Sequence, residues 1–199
     1  MALTAPPRKP SNIHLGQVSL DPGRLIRISN HTTGEPYFGR SGANRFDDYR
    51  KPISKRFGTC YFGLSLSVAF AETVLHDEVA VDGKFKIAED LLETRQVVSF
   101  SGTDLILANM TGVALKRAGA DGSLSTIMPY ALPQKWSVAL HAHPYSIDGF
   151  VYVSRHLNNG YAVVLFDRAA AKLAPVNYTP LPDYPGALRA AMAFGLDLS

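Results

Sequence analysis

The chain has a single cysteine in 199 residues, Cys60. Neither an intramolecular disulfide nor a cysteine-based zinc site can therefore form. Cys60 lies in the apolar run Cys60-Tyr61-Phe62, where a thiol reads as a small buried hydrophobe rather than a nucleophile. No apolar stretch approaches the roughly 18–20 residues needed to cross a bilayer. The segment Met1–Asn12 carries Arg8 and Lys9 among prolines and lacks the apolar centre of a signal peptide. The expectation is a soluble, cytoplasmic protein, without a membrane partner. Several motifs are also missing. There is no Gly-x-Gly-x-x-Gly after a strand, no Gly-x-x-x-x-Gly-Lys-Ser/Thr loop, no Gly-x-Ser-x-Gly elbow and no His-Glu-x-x-His. A nucleotide, if bound, must lie in some other cradle. A large excess of one sign of charge is missing too: 20 Lys+Arg stand against 17 Asp+Glu, for +3 and a pI near 9.0. That balance suits a local cationic pocket or an ordinary mildly basic surface equally well.

At 46% hydrophobic residues the chain can fill one core, and its length suits one domain of about 100–200 residues. Residues 1–12 read as a flexible, polyproline-like arm and 13–199 as a single domain. Strands are expected at Arg24–Ser29, Thr59–Leu64, Gln96–Phe100, Phe150–Val153 and Tyr161–Phe166. A helix capped by Ser67 should run from Val68 to about Asp77, and another from Thr103 or Asp104 to Gly119. Two more should begin near Pro133, ending before Pro144, and at Ala187, ending at Gly195. Short strands mixed with helices, in no regular βαβ rhythm, indicate the α+β class. Residues 30–58 form a long loop region. Basic residues, Arg40, Arg45, Arg50, Lys51 and Lys55 among them, gather in its second half.

Three residues stand out against this background. Glu72 shares its helical face with Val68, Ala69, Leu75 and His76, so it is either a marginal residue reaching water or a carboxylate at a pocket wall. Arg27 sits between Ile26 and Ile28 on a strand, facing solvent or offering its planar fork to a phosphate or carboxylate. Ser154 ends a strand, as turn residue or site residue. His141 and His143, two apart at a helix end, point to different faces, and with His156 they make a poor metal set.

Taken in order, the segments Arg27-Ile-Ser29, Asn44-Arg-Phe-Asp47, Tyr61-Phe-Gly-Leu-Ser65 with Ala71-Glu72, Trp136, Asp148-Gly-Phe-Val-Tyr-Val-Ser154-Arg155 and Val164-Leu-Phe166 resemble the RES domain. This is the toxin half of a bacterial toxin–antitoxin family named for an arginine, a glutamate and a serine. Phe46 departs from the tryptophan of many members, and the Tyr49–Gly58 segment looks like an insertion. The resemblance implies a fold like the ADP-ribosyltransferases, with a mixed sheet core and surrounding helices. It also implies an attack on the nicotinamide–ribose bond of NAD⁺, by hydrolysis, phosphorolysis or transfer of ADP-ribose to a protein. An Xre-type helix-turn-helix antitoxin is the implied partner, and nucleic acid is not bound by the toxin alone.

By position the family's arginine is Arg27, its glutamate Glu72 and its serine Ser154. Tyr37 is the candidate for a tyrosine that matters in the family, with Tyr61 its rival. Bond cleavage passes through an oxocarbenium-like state, for which a carboxylate against the developing charge suffices without a metal. Glu72 would stabilise that charge, Arg27 and Arg45 would hold the pyrophosphate, and Tyr37 would stack on nicotinamide. Ser154 would orient Glu72 or a ribose oxygen. The competing readings are a basic nucleic-acid-binding module, motivated by the 40–56 loop and requiring several phosphate contacts, and a protein–protein module without chemistry.

Overall fold

The computed structural model describes residues 3–198. Eight strands form one sheet in the order β1-β6-β7-β8-β3-β2-β5-β9: β1 Gln17–Leu20, β2 Ile26–Ser29, β3 Thr59–Gly63, β5 Gln96–Gly102, β6 Leu105–Met110, β7 Gly149–Val153, β8 Tyr161–Phe166 and β9 Leu173–Pro180. Every neighbouring pair is antiparallel except β6 and β7. A two-stranded parallel sheet joins β4, Phe85–Ile87, to β10, Leu196–Leu198. Six helices surround the strands: α1 Leu66–Thr73, α2 Glu89–Glu93, α3 Gly112–Ala118, α4 Ser123–Thr126, α5 Ala131–His141 and α6 Ala187–Phe194. Among the described residues no helix is long and apolar enough to cross a membrane.

The large sheet curls. Leu20 at one edge meets Val98 and Phe100, far along the strand order, in one cluster with Phe62, Leu107, Val163 and Leu165. The concave face is thus filled by the sheet's own strands. On β8 the alternation divides the strand between two cores, with Val163 and Leu165 inside the curl and Ala162, Val164 and Phe166 against Phe46, Trp136 and Phe150. A third cluster packs Phe70 and Leu75 of the α1 region on Ile28, Val97 and Leu181.

The α+β expectation holds, with local differences. Residues from Leu105 form a strand, because the apolar run Leu105-Ile106-Leu107-Ala108 pairs with β1 on one side and β7 on the other; the helix starts only after Thr111 and ends, as expected, on the left-handed Gly119. Ser65, not Ser67, caps α1: its backbone is extended (φ −150°, ψ 159°) and its side chain accepts from the Val68 amide, whereas Ser67 lies inside the first turn. The helix also stops at Thr73, which leaves His76 in the turn beyond it. The expected N-terminal arm is tied down. Leu3 is buried in the core and the Trp136 indole donates to the Thr4 carbonyl at 2.9 Å.

Candidate active site

The sheet is nearly interrupted between β2 and β3, where one residue pair, Ile26 opposite Gly63, joins the strands. Beyond it a cleft of about 480 Å³ opens, lined by both strands and by α1, a size that suits a small-molecule ligand. Arg27 bridges the opening. Its Nη1 donates to the Tyr61 carbonyl at 3.1 Å and its Nε to Glu35 Oε2 at 2.7 Å. Glu35 is buried, and it also accepts from Ser29 Oγ and the Tyr37 amide. Burial opposes the Arg27 charge, while Cys60 and Glu35 hold it and raise the guanidinium pKa above its ordinary value. Because burial pushes the Cys60 thiol up to about 12, that group is neutral, and Glu35 is the partner that counts at neutral pH.

Glu72 lines the cleft from the last turn of α1. Ser154, 1% exposed at the end of β7, donates from Oγ to Glu72 Oε1 at 2.6 Å. The same hydroxyl accepts from the amides of His156 and Leu157. Both lone-pair directions are thereby taken, and its proton is directed at the carboxylate. This geometry favours orienting Glu72 over contacting a ribose oxygen. Gly63 sets how close the helix carrying Glu72 comes to β3, since a Cβ there would lie 2.5 Å from the Ala69 amide and 2.8 Å from the Ser65 carbonyl.

Arg45 reaches the cleft from the loop, and the side chain next to it explains how. Phe46 is fully buried, edge-on to Phe150 and Tyr152 with ring centroids 4.9 Å away in each case. Arg45 Nη1 donates to the Ile127 carbonyl and the guanidinium lies 4.6 Å from the Tyr130 ring centre. Its Nη2 is buried and has no protein partner among the described residues. The only other such atom among them is His156 Nε2, beside Glu72. Burial lowers the pKa of both groups, against the pull of the Glu72 carboxylate. Tyr152, whose phenol is pushed well up by burial and by the Glu72 charge, and the exposed Arg155 also line the cleft.

The structure therefore brings Arg27, Arg45, Tyr61 and Glu72 together around one opening, with Ser154 buried and bonded to Glu72. Tyr37 is not among them: the residue is 67% exposed and lines an adjoining cavity. Tyr61 lines both, but its hydroxyl is committed to Asp47 Oδ1 and the Phe46 amide. Sequence reasoning overlooked Glu35 and Tyr130, and placed His76 beside Glu72 without giving it a role. Tyr130 and Glu35 lie in segments without periodicity, whereas the i, i+4 spacing of Glu72 and His76 was a usable signal.

The basic loop residues are largely spent inside the protein. Arg56 donates to the carbonyls of Arg40, Ser41, Tyr49 and Arg50, Arg50 pairs with Asp48, and Arg40 pairs with Asp167. Asp47 gathers the loop by accepting from Ser41, Gly42, Asn44, Thr59 and Tyr61.

The family model for the RES domain matches residues 24–185. The chain belongs to the RES family. Among solved structures, the toxin MbcT in the M. tuberculosis MbcT–MbcA toxin–antitoxin complex is similar in fold, with a TM-score of 0.56, 15% identity, and 83% of this chain and 87% of that chain covered. No curated protein matches the sequence. Within a RES domain the segments that carry Arg27, Glu72 and Ser154 acquire a common setting, the cleft between β2 and β3.

Proposed function

We propose that this RES protein is the toxin of a toxin–antitoxin pair and that it cleaves the nicotinamide–ribose bond of NAD⁺. The observation that carries the reading is the carboxylate of Glu72, oriented by a 2.6 Å bond from Ser154 at the wall of a cleft that also holds Arg27, Arg45 and Arg155. As the bond to nicotinamide breaks, positive charge builds on the ribose, and a fixed carboxylate stabilises it without reorganising. The arginines suit the pyrophosphate. Arg45 has a buried, unpartnered Nη2 to offer, and Arg27 is held rigid by Glu35. Tyr61, Tyr130 or Tyr152 supplies the aromatic face for nicotinamide in place of the outlying Tyr37. The reaction runs on these side chains and needs no metal. The partner is an Xre-type antitoxin with a helix-turn-helix domain; the similarity to MbcT, solved with MbcA, supports a partner of the antitoxin kind. The protein acts in the cytoplasm, where NAD⁺ is abundant.

The acceptor is water, phosphate or a protein side chain, and the products name it. Mass spectrometry after incubation with NAD⁺, with and without phosphate and cell extract, should show nicotinamide together with ADP-ribose, ADP-ribose-1″-phosphate or a modified protein. Glu72→Gln should lower nicotinamide release by about 100-fold or more, in line with the loss of one preorganised electrostatic group, while circular dichroism and melting temperature stay near the parent's. Release unchanged by Glu72→Gln would sink the assignment.

A further inference from the structure

Glu72 has neighbours that the reaction does not use. One donor atom from each of Glu72, His76 and His156 lies within 4.8 Å of the others, and the two imidazoles lie with centroids 4.5 Å apart, tilted by 40°. His156 is held by the turn that Ser154 organises. Its buried Nε2 has no protein partner among the described residues, so a hydrogen-bonding or coordinating need there is unmet. We propose that Glu72, His76 and His156 bind a divalent transition-metal ion of the zinc type, and that this ion switches the cleft off by occupying its carboxylate. The second half rests on the NAD⁺ reading; the first does not.

Two imidazoles and one carboxylate are the donor set of three-ligand zinc sites, whose fourth position is left to water. Bonds of about 2.0–2.1 Å in tetrahedral geometry put donor atoms about 3.3 Å apart, so the set must close by at most about 1.5 Å. His76 can supply that movement: it is half-exposed, stands in the turn after α1, and its Nε2 contact with the exposed Asp77 is long, at 3.8 Å. Imidazole donors favour zinc, cobalt or nickel over magnesium or calcium, which prefer oxygen. Arg45 and Arg155, whose charges are felt at His156, oppose any cation here. Binding is therefore expected to be weaker than at a structural zinc site and readily reversed by a chelator, as suits an inhibitory ion.

The test is calorimetric titration of the chelator-stripped full chain with sub-millimolar zinc, alongside H76Q and H156Q, and with magnesium in parallel. One zinc per chain should bind, magnesium should not, and each substitution should weaken zinc by at least tenfold, since even second-sphere changes cost about 10–100-fold. His76 is exposed enough that H76Q will fold even if H156Q does not. Absence of zinc binding, or binding that both variants retain, would overturn the site. Nicotinamide release should fall on adding zinc and return with chelator, and release indifferent to bound zinc would overturn the inhibitory role. Histidine-dependent zinc binding by a chain that never releases nicotinamide would leave the metal site standing and fell the NAD⁺ reading. Zinc-free, zinc-insensitive release would do the reverse.

Discussion

At the scale of single residues, the site is a set of charged groups each held by a second, less conspicuous one. Ser154 holds Glu72. A hydrogen bond to a charged group contributes about 1.5–3 kcal/mol, so Ser154→Ala should lower kcat by roughly 10–100-fold with KM for NAD⁺ little changed. A loss in KM alone would mean that the serine serves binding rather than orientation. Glu35 holds Arg27 in the same way. Its carboxyl is pushed up by burial, but Arg27, Ser29 and the Tyr37 amide outweigh this and keep it below its ordinary value. Removing one partner of such a pair leaves a part-buried charge, and Glu35→Ala should cost about 3 kcal/mol or more, read from urea unfolding. If Glu35→Ala loses less than about 1 kcal/mol, water replaces the carboxylate and the pair is dispensable.

At the scale of elements, the decisive contact is between the end of β3 and the first turn of α1. Gly63 lets the Ala69 amide and Ser65 carbonyl approach where a side chain would stand. Gly63→Ala is therefore overpacked against backbone, which cannot rotate away, and should destabilise by about 1–3 kcal/mol. The helix must move outward, carrying Glu72 from Ser154, so activity should fall further than stability does. Thermal melts and nicotinamide release on the same sample separate the two; activity retained at a reduced melting temperature would show that Glu72 tolerates the shift. The sequence supplied β2, β3, β5, β7 and β8, because strands such as Thr59–Gly63 and Tyr161–Phe166 carry apolar runs bounded by turns, but not β1, β4, β9 or β10. It misplaced the start of α1 by two residues and turned β6 into helix. Cap choice depends on which serine has extended backbone, and a short apolar run becomes a strand only when edges on both sides await it.

For the whole molecule, pH reports how the core is assembled. His141 stacks on Phe57 at 4.0 Å, and burial, with Arg168 adding, pulls its pKa down from 6.5 to about 4. The unfolded chain thus binds a proton that the folded one refuses between those values, so stability is full above pH 6.5 and falls as pH drops toward about 4. His156, also shifted down, acts in the same direction. Below the ordinary carboxylate range, near pH 4, Glu35 and Asp48 add to the loss, since the folded state holds both below their usual values. Melting temperature should decline from about pH 6.5 downward, and His141→Phe, keeping the stack on Phe57, should flatten that decline. An unchanged slope in His141→Phe would assign the titration elsewhere.

What the sequence determined by itself was local or ordinal: the α+β class from the mixture of periods, and Arg27, Glu72 and Ser154 as candidates from the order of short motifs. The tertiary structure alone decided which residues share a space. Arg27 and Glu72 are 45 positions apart and Ser154 another 82, and nothing in local spacing says that β2 and β3 part to receive them. It removed Tyr37 from the cleft, tied down the N-terminal segment through Leu3 and Trp136, and spent Arg40, Arg50 and Arg56 on internal partners. It also joined His156 to Glu72 and His76 rather than to His141 and His143. The physical reason is common to all of these. Burial, pairing and proximity are set by long-range packing, which periodicity along the chain encodes only as a face to be covered, without naming what covers it.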